Sequence, residues 1–151
     1  MKIIYHCYGG THSSVLAAAI HTGRLDTTKI PSTAEFFSLP FFDTRSSSDI
    51  GIIVQYGSLQ NNIPVFILGR KGYCTAPSKI FNWLAEIFGV KEKYIIIDTT
   101  PTLNWQMKLG GYLSRRLGLI RLGRPFIIWG ARRAFKDIVN LVLATQRRLL
   151  L

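Results

Sequence analysis

Acidic residues are scarce in this sequence, and beyond Pro101 they nearly vanish: ten lysines and arginines stand against Asp137 alone. Up to residue 100 the count is nearly balanced, with nine bases and seven acids. Cysteine is scarcer still. Cys7 and Cys74 cannot frame a disulfide scaffold and show no metal-ligand spacing. No apolar run reaches the roughly 18–20 residues that cross a bilayer. The N-terminus has no basic stretch leading into an apolar segment, so no secretory signal is expected. These absences point to a reduced, cytoplasmic protein without a transmembrane segment. With 48% hydrophobic and 18% charged residues, disorder is excluded too, and 151 residues suit one domain, 1–151, with a real core.

What is there alternates between strand and helix patterns. Residues 1–5 read as a strand, and 13–20 as a helix capped by Ser13–Ser14 and stopped by Gly23. The Thr/Ser/Pro-rich stretch 26–49 reads as a loop or a short docked helix whose phenylalanines fill a core edge. Residues 51–56 and 63–68 form a hairpin around 57–62, with Pro64 near a strand start, where its missing N–H does least harm. Pro77 opens a helix carrying Ile80, Phe81, Leu84, Ile87 and Phe88 at helical spacing, and Gly89 ends it. Tyr94–Ile97 suits a buried parallel strand. After Pro101 a helix runs to Gly118, with Gly110–Gly111 marking either a close contact or a break. Residues 125–129 read as the last strand, before a helix that carries Phe135, Ile138, Val139 and Val142. The expected fold is α/β: a single three-layer domain, its sheet mostly parallel with helices on both faces, and the hairpin as a possible antiparallel part.

The chemistry concentrates in His6-Cys7-Tyr8-Gly9-Gly10-Thr11-His12-Ser13-Ser14, between the first strand and the first helix. In a parallel sheet that place lies beyond the strand's carboxyl end, where ligands sit. Gly9, Gly10 and Thr11 can turn backbone N–H groups inward, Thr11, Ser13 and Ser14 add hydroxyl donors, and a helix N-terminus adds partial positive charge. That combination favours an anion. The same residues also make an ordinary turn and helix start with no ligand. Cys7, at a helix N-terminus, is a candidate nucleophile or a small buried hydrophobe. His12 and His6 are candidate acid/base groups or hydrogen-bonded loop residues. Metal binding by His6, Cys7 and His12 lacks the usual spacing and a fourth ligand.

Three resemblances follow from these residues. Gly9-Gly10-Thr11 with Ser13-Ser14 resembles the phosphate loop of P-loop NTPases. Tyr94–Pro101 is similar to the Walker B strand of P-loop ATPases that segregate chromosomes or position division sites. This implies a P-loop-like or Rossmann-like fold, a nucleotide ligand and Mg²⁺ held by Asp98. The loop departs from the pattern in lacking the Gly-Lys pair, with His12 in the lysine's place. Asp98 equally suits a cap on the following helix. His6-Cys7 also resembles the opening of the thiol-phosphatase signature, but Ser13 stands where that signature has arginine. Finally, residues 1–14, Leu39-Pro40-Phe41-Phe42-Asp43 and Leu68-Gly69-Arg70 resemble a family of small uncharacterised Firmicutes proteins classed as a domain of unknown function.

Arg70 and Lys71 place two cations at the end of the second hairpin strand, where Arg70 is an external phosphate clamp if the sheet order brings it beside the first loop, or the pair is an exposed basic turn. Trp129–Arg133 reads as a third strand-to-helix junction, which would bring Arg132 to the same sheet edge. The expectation is a protein that binds a phosphorylated small molecule or nucleotide through Gly9, Gly10, Thr11, Ser13, Ser14, Arg70 and Arg132. The rivals are a phosphatase-like or thiol enzyme using Cys7, and a non-enzymatic module that binds nucleic acid or an anionic membrane through its basic C-terminal half.

Overall fold

Alternation of buried side chains on two faces builds the first strand, β1 (Lys2–Cys7), which runs two residues further than its apolar stretch and takes in His6 and Cys7. The computed structural model describes residues 1–59, 62–73, 75–89 and 94–149. Gln60 and Asn61 of the hairpin connection, and Cys74, lie outside the described residues. β1 pairs in parallel with β3 (Pro64–Gly69) on one side and with β4 (Tyr94–Asp98) on the other. β2 (Ile53–Ser58) joins β3 antiparallel, with a bulge between Gln55 and Gly57, and the order is β2-β3-β1-β4. The chain is therefore mixed α/β around one open, mostly parallel four-stranded sheet. The antiparallel hairpin is present where it was expected. β4 is an edge strand, so its Tyr94, Ile95 and Ile96 are only half-buried, and the expectation of a fully buried strand does not hold there.

On the face that carries Ile3 and Tyr5 lies α1 (Ser13–His21), nine residues long and buried throughout. It packs on β1 and β3 and against α5 (Ile120–Leu149). Gly23, at φ +72°, follows the helix and turns the chain away. The capping expectation fails in detail: His12 is the N-cap residue, its side chain making no bond to the helix's own N–H groups, and Ser13 and Ser14 are the first helical residues. α2 (Thr33–Ser38) is the short docked helix, started by a capping box in which Ser32 and Glu35 exchange hydrogen bonds. It delivers Phe36 to the core, stacked on Phe42 with ring centroids 5.7 Å apart. α3 (Ala76–Ile87) meets the opposite face at the β4 edge, where Phe81 lies 5.8 Å from the ring of Tyr94. Tyr94 is the register partner of Lys2, one of the side chains alternating with Ile3 and Tyr5. Its Ile80, Trp83, Leu84 and Ile87 remain exposed.

The strand expected at 125–129 is absent: those residues lie inside α5, about 45 Å long at 1.5 Å per residue. The β-branched pair Ile127–Ile128 begins a helical stripe that continues through Ala131, Ala134, Phe135, Ile138 and Val142, all buried. Gly130 marks a close contact rather than a turn. A Cβ there would fall 2.6 Å from Asn104 Oδ1 and from Met107 Cγ of α4 (Trp105–Gly111). Gly110 and Gly123 meet in the same way, so Gly110 resolves as a packing contact between α4 and α5. A π-helical turn, Tyr112–Arg116, and Gly118 at φ +70° connect the two helices.

Candidate functional site

Because β3, β1 and β4 run parallel and adjacent, their carboxyl ends share one edge of the sheet. The chain leaves β1 toward β3 and later crosses to β4 on the other side, which places the topological switch point between β1 and β4. His6 and Asp98 are register partners there. Arg70, one residue past β3, continues the ladder through its N–H to Cys7 O at 3.0 Å. Its guanidinium, almost wholly buried, donates from Nε to His6 Nδ1 at 2.9 Å and from Nη1 to Lys71 O at 3.0 Å. Nη2 reaches both oxygens of Asp98, at 3.2 and 3.0 Å, and Thr100 Oγ1 at 2.7 Å.

The electrostatics follow from this packing. His6 Nδ1 accepts, so the neutral ring carries its proton on Nε2. Burial pushes its pKa down, and the Arg70 charge adds to that against the pull of Asp98. For Asp98 burial works upward. The Thr100 hydroxyl and N–H, His6 and Arg70 outweigh it and hold the carboxyl below its ordinary value. Asp98 also does what a strand-end aspartate does for a following turn: Oδ1 accepts Thr100 N–H at 2.9 Å. Its side chain is 33% exposed, whereas that of Arg70 is 4% exposed, so the carboxylate is the part of the ion pair that meets solvent. Lys71 follows at φ +57°, an uncommon conformation for a residue with a side chain, and its N–H holds Tyr8 O at 2.8 Å.

The crossover loop is folded in on itself. Gly10, at φ +67°, lies so close to β3 that a Cβ would fall 2.5 Å from Gly69 N, and only glycine fits. Its N–H donates to Cys7 Sγ at 3.1 Å, and Ser14 Oγ sits 3.2 Å from the same sulfur. Ser13 Oγ is 2.9 Å from Thr99 Oγ1, which itself donates to His6 O. Thr11 Oγ1 donates to Phe41 O and accepts the N–H groups of Thr44 and Arg45. The hydroxyls of Thr11, Ser13 and Ser14 thus bind their own chain.

His12 belongs to a second cluster. Its Nε2 donates to Asp43 Oδ1 at 3.2 Å, and Asp43 is completely buried. Ser114, on the π-helical turn, donates to both carboxylate oxygens, and Arg115 and Arg124 each approach to 3.2 Å. Burial alone would raise the Asp43 pKa. His12, Ser114 and Arg115 together bring it below the ordinary value. Phe41 and Asp43 both have positive φ, so the loop 41–43 is held by these contacts in a conformation that side chains disfavour.

The structure gathers Cys7, Gly9, Gly10, Thr11, Ser13, Ser14, Arg70 and Asp98 around the first crossover but leaves Arg132 out. With residues 125–133 inside one helix, no third junction exists. Arg132 bonds Thr33 Oγ1 at 3.3 Å and lines a cleft with Ile30, Pro31, Ser32 and Glu35, which shares no residue with the strand-end cluster. Asp98 is a poor match for Mg²⁺, because a permanent guanidinium charge already spans both its oxygens. Among the described residues no group of three His, Cys, Asp or Glu side chains could hold a metal. Sequence reasoning missed Thr100, Asp43, Ser114, Arg124 and Arg45. The signal for the last is an arginine two positions after Asp43, in a Phe-rich loop. Arg45 is buried, bonds Asp49 O and Ile52 O, and lies within electrostatic reach of Cys7.

Compared with known proteins, residues 2–147 match the model of a family described as Protein of unknown function (DUF3189), and the chain belongs to that family. No curated protein and no solved structure matches it.

Proposed function

We propose that this DUF3189 member binds a phosphorylated small molecule, of the nucleotide or sugar-phosphate class, at the carboxyl edge of β3, β1 and β4. The observation that carries this reading is the convergence of His6, Arg70, Asp98 and Thr100 at the switch point, with Asp98 partly open to solvent. Thr100 Oγ1 accepts from Arg70 while its own hydroxyl serves Asp98, so the threonine fixes the ion pair in the orientation that a ligand meets. Lys71, exposed and tied through its backbone to Tyr8, supplies the ammonium that the Gly-rich loop lacks. The open side of Asp98 accepts ligand hydroxyls. Tyr8 and Tyr73, 49% and 71% exposed, stand on the two loops that the Lys71 N–H to Tyr8 O bond joins and would offer rings for a base to stack on. In this reading the P-loop-like crossover closes the floor of the site and the strand ends make the contacts.

A thermal-shift panel of inorganic phosphate, ribose 5-phosphate, ATP and GTP tests the proposal. A ligand present at about a hundred times its Kd adds about 2.7 kcal/mol of apparent stability. The shift should shrink in Lys71→Gln and Thr100→Val. A shift that survives both substitutions, or none with any of the four, removes the assignment.

A second reading, thiol chemistry at Cys7, draws on three groups suited to a sulfur anion: Gly10 N–H, the Ser14 hydroxyl and the nearby Arg45 charge. Cys7 is only 3% exposed, so this chemistry requires the crossover to open. Iodoacetamide labelling of the native chain, complete within minutes at neutral pH, would favour it. A thiol modified only in denaturant would dismiss it.

A further inference from the structure

We propose that the tip of the α4–α5 hairpin is a docking surface for an anionic lipid bilayer, with Leu117, Leu119, Ile120 and Leu122 entering the headgroup region while Arg116 and Arg121 hold lipid phosphates. Residues 116–122, Arg-Leu-Gly-Leu-Ile-Arg-Leu, form an unbroken exposed run. The four aliphatic side chains in it are 49%, 45%, 39% and 61% exposed. A helix–helix turn in water is ordinarily polar. Here it is built from large apolar groups around Gly118.

Three observations choose the partner. The first is charge: no acid occurs between Asp98 and Asp137, so nothing in this segment repels a negative surface. The second is the chemistry of the apolar part, which is aliphatic. Nucleic acid offers a phosphate backbone and stacking faces, and neither rewards leucine, whereas an acyl boundary does. The third is stiffness. Gly110 seats against Gly123, and Arg115 and Arg124 both bind the buried Asp43, so the tip stands on a braced base and need not be ordered on docking. Among the described residues no helix is long and apolar enough to cross a membrane. The geometry is therefore that of a shallow wedge lying on the surface.

Vesicle flotation of the full chain tests this. Phosphatidylcholine vesicles with about 30% phosphatidylglycerol should carry the protein at about 0.1 M salt and release most of it at about 1 M, where the Debye length falls to about 3 Å. Pure phosphatidylcholine should carry little. Arg116→Gln and Arg121→Gln should each lower partitioning about fivefold. The double variant Leu119→Ser/Leu122→Ser, with every charge kept, should lower it about tenfold or more. These side chains are exposed, so melting temperatures should stay at the wild-type value, and a double variant that fails to fold is replaced by Leu122→Ser alone. The proposal is overturned if the wild-type chain ignores anionic vesicles, or if the leucine variants float like wild type. Tip-dependent binding to duplex DNA or to an acidic peptide without vesicle binding overturns it as well.

Discussion

Arg70 grips Asp98 across the end of a strand that belongs to neither of them: Nη2 lies 3.2 and 3.0 Å from the carboxylate oxygens, while β1 separates β3 from β4. The pair ties together the two outer parallel strands over His6. Removing the carboxylate leaves a buried guanidinium with neutral partners. Because Asp98 is itself 33% exposed, solvent moderates the loss. Asp98→Asn is expected to cost about 1–3 kcal/mol in urea unfolding at pH 7. A change below about 0.5 kcal/mol would mean that the remaining Arg70 bonds hold the edge unaided.

His21 predicts an acid-sensitive fold. Its Nδ1 takes the Tyr5 hydroxyl at 2.7 Å, and burial pushes its pKa down to about 4. The imidazole of an unfolded chain takes up a proton below about pH 6.5, which the folded His21 declines until about pH 4. Between those values the unfolded state binds more protons, so stability falls as pH falls. The loss amounts to roughly 3 kcal/mol at the acid end. Urea midpoints measured from pH 7.5 to pH 4 should show this decline, and His21→Gln should flatten its part of the curve. An unchanged slope in the variant would assign the acid sensitivity elsewhere.

Asp43 is the counter-charge for Arg115 and Arg124, accepts from His12, and lies entirely out of solvent. Asp43→Asn strands those groups and should cost about 3–5 kcal/mol. Ser114→Ala removes one neutral donor and should cost about 1–2 kcal/mol. Thermal unfolding of the two variants gives the order. Equal losses would mean that the carboxylate acts only as a hydrogen-bond acceptor.

Local pattern carried much of the fold. β1, the hairpin, α1 and α3 all stand where periodicity, Pro and Gly placed them. The error at 125–129 has a physical cause. Pro125-Phe126-Ile127-Ile128-Trp129 is a short β-branched and aromatic run, and Gly130 looks like its turn. The glycine is there instead because α4 passes too close for a Cβ, a fact about another part of the chain. In the site, the Gly-rich crossover and Asp98 were legible from their positions after strands. Arg70 was legible as a clamp or an exposed basic turn, and only the strand order, which sets β3 beside β1, brings it to the crossover. The Asp43 cluster was illegible because the partners of Asp43 lie 31 to 81 residues from it in sequence and meet it only through tertiary packing.

The most direct test of the binding proposal is a ¹H–¹⁵N amide titration of the native chain with ATP and, separately, with ribose 5-phosphate. The account predicts saturable shifts confined to Tyr8–Gly9, Arg70–Tyr73 and Asp98–Thr100, reduced in Lys71→Gln. Shifts that spread along the basic face of α5 and leave the strand ends silent would contradict it.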